Sequence, residues 1–277
     1  MLAHEFMRNA LLAGSFVGAA CGAVGYFLVL RAQVFAGDAL SHVAFTGALA
    51  AAAIGADVLL GVFAATIVVA IALGLLGERA HADDVTIGTV FAWILGLGVL
   101  FLAIFATSSS AGNGTAAVRV LFGSIFGLSR DEALLALAVS LVALTGLLAI
   151  ARPLLFASID PEVASARAVP VRVLGLAFLV LLGVVAAEAT QTVGALLLLG
   201  LVAAPAAAAH RVGRTPYQAL TLSIGLAVAC VWIGLGLSYV IAELPPSTAI
   251  VSAATAAYVV AASAGPLAAR LPRRRRR

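Results

Sequence analysis

The chain has no lysine: all 16 of its basic residues are arginine. It therefore has no P-loop lysine, and no GxxxxGK[ST] string occurs in it. Any nucleotide hydrolysis must sit on another chain. Cysteine is nearly absent too. Cys21 and Cys230 lie in apolar sequence with no CxxC and no ladder of spacings, so they read as small buried side chains. Charge of either sign is scarce, at 10% of 277 residues. HExxH and GxSxG are both missing, which removes the zinc-protease and nucleophile-elbow patterns. No partner motif for an intramembrane aspartyl protease is found either, so an intramembrane enzyme is the most distant reading.

Apolar residues are abundant. They make up 64% of the chain, and mean hydropathy is +1.17. Apolar runs of about 18 residues or more read as membrane spans. Here they follow one another almost without a break and leave no room for a soluble catalytic domain. The fold class expected is an all-α polytopic membrane protein with 8–9 transmembrane helices, as one domain over residues 1–277. The spans fall near 9–30, 37–56, 58–77, 86–106, 132–151, 173–188, 193–209, 217–242 and 248–268. Gly14, Gly18 and Gly22 recur every four residues in the first span and form a small-residue packing face.

Between the spans lie three pieces that do not cross. Thr107 to Thr115 is turn-rich, and Leu121 to Arg130, too short to span, reads as an interfacial or re-entrant helix. Arg152 to Arg172 is amphipathic. Its Ser158-Ile159-Asp160-Pro161-Glu162 has a cap, a proline in the first turn and an early acid, so a short helix over 158–169 is expected.

Arginine asymmetry sets the orientation. With nine spans, thirteen arginines fall inside: Arg31, Arg79, Arg152, Arg167, Arg172, Arg211, Arg214, Arg270 and the five from Arg273 to Arg277. Arg8, Arg119 and Arg130 fall outside. This places the N-terminus outside and the C-terminus and residues 153–171 in the cytoplasm. If 193–209 enters only halfway, the count is eight. The 270–277 tail is a topology signal rather than a nucleic-acid site.

Ionisable groups within spans cost roughly 2.5–3.5 kcal/mol each on insertion scales and tend to line pathways. The best such pair is Asp38 and His42, inside Gly37-Asp38-Ala39-Leu40-Ser41-His42. Four residues apart on a helix, they share one face, one turn apart. A carboxylate and an imidazole so placed can share a divalent cation. The plainer alternative is a helix-capping acid and a satisfied core histidine. Two ligands are too few for a closed structural zinc site, which suits an ion in transit. Glu188 and Gln191 form a second polar cluster. They are a candidate pathway mouth, though a solvated helix end explains them more simply. His81 and His210 read as interfacial. Asp83 and Asp84 read as helix-start acids.

The hexapeptide, followed by Gly47, resembles the signature of permease subunits of bacterial ABC importers for zinc, manganese or iron. Other pieces agree in order: Asp83-Asp84 with Ile87-Gly88, Leu121-Phe122-Gly123 with Ser129-Arg130, Asp160-Pro161-Glu162 with Ala164 to Val171, and Val193-Gly194 with Leu196-Leu197 before Pro205-Ala206-Ala207. The chain departs from that pattern at Thr46, Ala208 and Ala168, where the family often has proline, threonine and glycine. Thr46 should make its helix more regular.

The resemblance implies a multi-pass permease of the bacterial cytoplasmic membrane, working as a homodimer. A cytoplasmic ATPase dimer and an extracytoplasmic metal-binding protein would be its partners. Asp38 and His42 would hold the ion in transit. Residues 158–169 would be the coupling helix, meeting the ATPase through Asp160, Pro161, Glu162, Ser165 and Arg167. It implies no permanently bound cofactor. Manganese, zinc or iron is cargo, and ATP sits on the partner. The rivals are a permease for a metal chelate or siderophore and an ATPase-independent transporter or channel.

Overall fold

The apolar runs fold as helices. The computed structural model describes residues 4–77, 84–108, 123–195, 198–241 and 243–270. Among the described residues there is no β-strand. Ten α-helices follow in order: α1 (Glu5–Leu30), α2 (Val34–Ala53), α3 (Val58–Leu76), α4 (Asp84–Ser108), α5 (Arg130–Ile159), α6 (Pro161–Ala166), α7 (Val171–Thr192), α8 (Leu198–Val212), α9 (Pro216–Val240) and α10 (Pro246–Arg270). Eight of them are long and apolar enough to cross a membrane. α8, with 15 residues, is shorter. The chain is thus an all-α polytopic membrane protein.

α1 is the hub. It packs against α9, α5, α8 and α7. Gly14, Gly18 and Gly22 do form the packing face expected of them. A Cβ on Gly22 would meet the Ser223 carbonyl oxygen at 2.6 Å, and the Ser223 hydroxyl donates to the Gly22 carbonyl at 2.6 Å. Both backbones sit close enough that only glycine fits. Cys21 and Cys230 are free and buried, as small apolar side chains would be.

Cap chemistry fixes several helix starts. Asp57 accepts from the Leu60 backbone N–H and opens α3. Ser129 and Glu132 form a reciprocal capping box at the start of α5. The Leu121–Arg130 piece contributes a three-residue 3-10 turn, Ile125–Gly127, just before that box. Residues 121 and 122 lie outside the described residues.

Several boundaries differ from the sequence reading. α2 begins at Val34, not 37. α5 runs on through Pro153 to Ile159 instead of stopping near 151. Proline is a weaker breaker in a membrane helix, where neighbouring groups satisfy the freed carbonyl. The helix expected over 158–169 is correspondingly shorter. Ser158 belongs to α5, Asp160 is the cap that accepts from Val163 N–H, and α6 ends at Ala166. Ala168 then takes the left-handed φ of 60°. Glycine reaches that conformation freely, which gives the family's preference at 168 a physical reason. Finally, Glu188 does not break α7, which continues to Thr192. The Thr190 and Thr192 hydroxyls bond back to the Ala186 and Ala189 carbonyls instead of competing with the helix.

The candidate ion site on α2

α2 crosses beside α3, α4 and α7. Its α3 side is a close backbone approach: a Cβ on Gly47 would meet the Gly61 carbonyl oxygen at 2.5 Å. Its α4 side is built from larger groups. The Phe35 ring meets Phe91 edge-on with centroids 5.8 Å apart, and the His42 ring lies 5.2 Å from the same Phe91 ring. Thr46 donates to the Ile94 carbonyl at 3.3 Å. α2 stays helical through Thr46, as expected of a residue that replaces proline. Phe35, Asp38, His42 and Thr46 recur at helical spacing, so Asp38 shares the stripe that faces α4.

With Gln33 as the N-cap, Asp38 caps nothing. It stands one turn inside the helix and His42 two turns inside, about 6 and 12 Å from Val34 along the axis. That is about a turn deeper than a helix beginning at 37 allows. Both side chains are half-buried. Among the described residues neither has a hydrogen-bond partner of its own. The Ser41 hydroxyl bonds only to the Asp38 backbone carbonyl, at 2.7 Å. The carboxylate and the imidazole therefore keep lone pairs for a ligand. Among the described residues no third histidine, cysteine, aspartate or glutamate joins them.

Glu188 lies elsewhere. It is 4% exposed, and its Oε2 has no hydrogen-bond partner. The preceding residue, Ala187, packs with Ala44, Ala48 and Val62. These alanines are on the α3 and α7 side of α2, away from the face that carries His42. Glu188 is thus a buried carboxyl and not a solvated helix end. Gln191, one turn on, is half-buried with an unpartnered Nε2. The Gln191 backbone carbonyl accepts from Ser124 N–H at 3.3 Å, tying α7 to the 3-10 turn.

The α6 residues are mostly outward. Glu162, Val163, Ser165, Ala166 and Arg167 are exposed, Asp160 and Pro161 are half-buried, and only Ala164 is buried. His210, read from sequence as interfacial, is packed. Its ring stacks on Tyr26 with centroids 4.6 Å apart, and its Nε2 lies 3.0 Å from the Tyr26 carbonyl. That contact spans 184 positions and leaves no local trace in the sequence. His81 and Asp83 lie outside the described residues, while Asp84 is the first residue of α4.

The model of the ABC 3 transport family matches residues 3–265. The chain belongs to that family. It is similar to the manganese transport system membrane protein MntC of Halalkalibacterium halodurans, with 30% identity over 211 residues covering 76% of this chain and 70% of that protein. The manganese import system permease protein ScaB of Streptococcus parasanguinis is 28% identical over 85% of this chain and 82% of its own length. Among solved structures, PsaBC from Streptococcus pneumoniae in complex with Fab superposes with a TM-score of 0.80 at 25% identity, covering 93% of this chain and 91% of that one. The chain is a membrane permease subunit of the ABC 3 family.

Proposed function

We propose that this permease carries a divalent transition-metal ion into the cytoplasm, with manganese as the first cargo. The observation that carries the reading is the α2 pair: Asp38 and His42 on one face of a spanning helix, half-buried and with no hydrogen-bond partners among the described residues. An oxygen and an imidazole nitrogen without thiolate suit manganese, iron or zinc. Intrinsic affinity favours zinc over manganese, so selection of manganese belongs mostly to the delivering protein. The names of the two relatives favour manganese.

Energy comes from a separate ATPase dimer, since this chain has no P-loop. Two copies of the permease line the pathway in the bacterial inner membrane, and an extracytoplasmic binding protein delivers the ion. α6, with Asp160, Pro161, Glu162, Ser165 and Arg167, seats in the ATPase. Val163 of α6 and Ile159, the last residue of α5, are exposed there as apolar anchors. This assignment places the α6 end of the bundle, with Arg31, Arg167, Arg172, Arg211 and Arg214, in the cytoplasm. The N-terminus lies outside.

Proteoliposomes test this directly. The permease, its ATPase and its binding protein are reconstituted together and offered radiolabelled manganese. Uptake is expected only with ATP on the ATPase side, and free manganese is expected to compete better than chelated metal. Equal uptake without the ATPase would make the chain a self-sufficient transporter, and preference for the chelate would make the ion assignment wrong.

A further inference from the structure

The turn between α1 and α2 holds a buried cation that the transport reading does not use. Arg31 closes α1 and is 7% exposed. Its Nε donates to the Gln33 Oε1 at 3.0 Å, and its Nη1 donates to the Ser158 hydroxyl at 3.3 Å. The guanidinium carbon lies 5.5 Å from the centre of the Phe178 ring. Ser158 in turn donates to the Leu154 carbonyl at 2.6 Å, which fixes it to the last turns of α5.

These partners have particular places in the chain. Ser158 stands two residues before Asp160, the cap of α6. Phe178 is in the second turn of α7, the helix that follows α6. The two spans flanking α6 therefore hold Arg31 between them. On its other side Arg31 holds Gln33, the N-cap of α2. The Gln33 carbonyl accepts from Ala36 and Gly37 N–H at 2.9 and 3.4 Å, and Asp38 is the next residue. One guanidinium thus joins both flanks of α6 to the first turn of the helix that carries Asp38 and His42.

We infer that Arg31 is a positioning residue that transmits movement of the α6 segment to Asp38 and His42. The inference rests on α6 being the segment that meets the ATPase. A purely structural filler here would be cheaper as an apolar side chain, because a buried cation gives up its water. Both of its hydrogen-bond partners, Gln33 and Ser158, are neutral. A fork held by neutral acceptors positions α2 firmly yet releases at less cost than an ion pair. Gln33 is 1% exposed and its Nε2 has no partner. That spare donor is available to a second arrangement of the same turn.

The test uses the reconstituted permease, ATPase and binding protein, and reads ATP hydrolysed per manganese ion delivered. Ser158→Ala removes one acceptor and little volume. It is expected to raise that ratio by roughly twofold to thirtyfold, the range seen for substitutions along coupling networks. Ser158→Thr keeps the hydroxyl and is expected to restore the normal ratio. Arg31→Lys is expected to stay uncoupled, because an ammonium lacks the two-pronged fork. A merely structural role would lower the amount of assembled complex without moving the ratio. An unchanged ratio in Ser158→Ala overturns the inference, even if the Arg31 variant fails to assemble. Asp160→Ala, run beside it, separates the two readings. If only Asp160→Ala uncouples, the linkage is wrong and the α6 assignment stands; if neither does, both fall.

Discussion

α1 and α4 are nearly equal in length, 26 and 25 residues, and their surroundings are opposite. α1 is held by four other helices, whereas α4 rests mainly on α2. Yet α4 is the more apolar. In water that order would be surprising. In lipid it follows from what drives packing. Chain against chain gains little over chain against acyl tail, so small residues turn inward and large apolar ones face out. α1 spends Gly14, Gly18, Gly22 and Gly25 on close approaches, while α4 exposes Val85, Trp93 and Val99. Asp38 and His42 sit between these regimes, on a helix that packs both on the α3 and α7 interior and on α4.

Glycine substitution sharpens that contrast most. A Cβ on Gly25 would collide with the Val202 carbonyl oxygen of α8, while one on Gly96 of α4 would meet nothing within 4 Å. Gly25→Val is expected to abolish recovery of folded, monodisperse permease. Gly96→Ala is expected to leave recovery and melting temperature the same or slightly higher. Equal damage from the two would break the hub-and-edge account.

A smaller effect is expected at α6. Asp160→Ala removes the cap bond to Val163 and about 1 kcal/mol of local helix stability. ATP hydrolysis should then run without matching uptake in the reconstituted system, while manganese binding to the permease stays normal. Thr46→Val removes the one side-chain hydrogen bond described between α2 and α4, worth about 0.6 kcal/mol on average in membrane bundles. A melting-temperature drop of a degree or two is expected, together with higher accessibility of a spin label on α4. An effect of the opposite sign is expected at Ala168. Ala168→Gly relieves the left-handed backbone and should stabilise by about 1 kcal/mol, read as a higher melting temperature.

Much of this was legible in the sequence, for physical reasons. A run of 20 apolar residues has few options other than a span. The glycine stripe on α1 and the pair on α2 were visible because helical spacing is local. What the sequence concealed is long-range or depends on the solvent. Pro153 looks like a stop in water, and α5 passes through it. Glu188 looks like a wet helix end until the packing of Ala187 against Ala44 and Ala48 is known. Arg31 looked like a topology charge, and its bonds to Gln33 and Ser158 show a side chain turned inward. The pairing of His210 with Tyr26 depends on α8 folding back beside α1.

The central claim is that Asp38 and His42 hold the ion as it crosses. The most direct measurement is ATP-driven manganese uptake by the reconstituted complex carrying Asp38→Ala with His42→Ala, beside an assembly check by size-exclusion chromatography. The account predicts an intact complex that hydrolyses ATP and accumulates no manganese. An intact complex with normal uptake would contradict it.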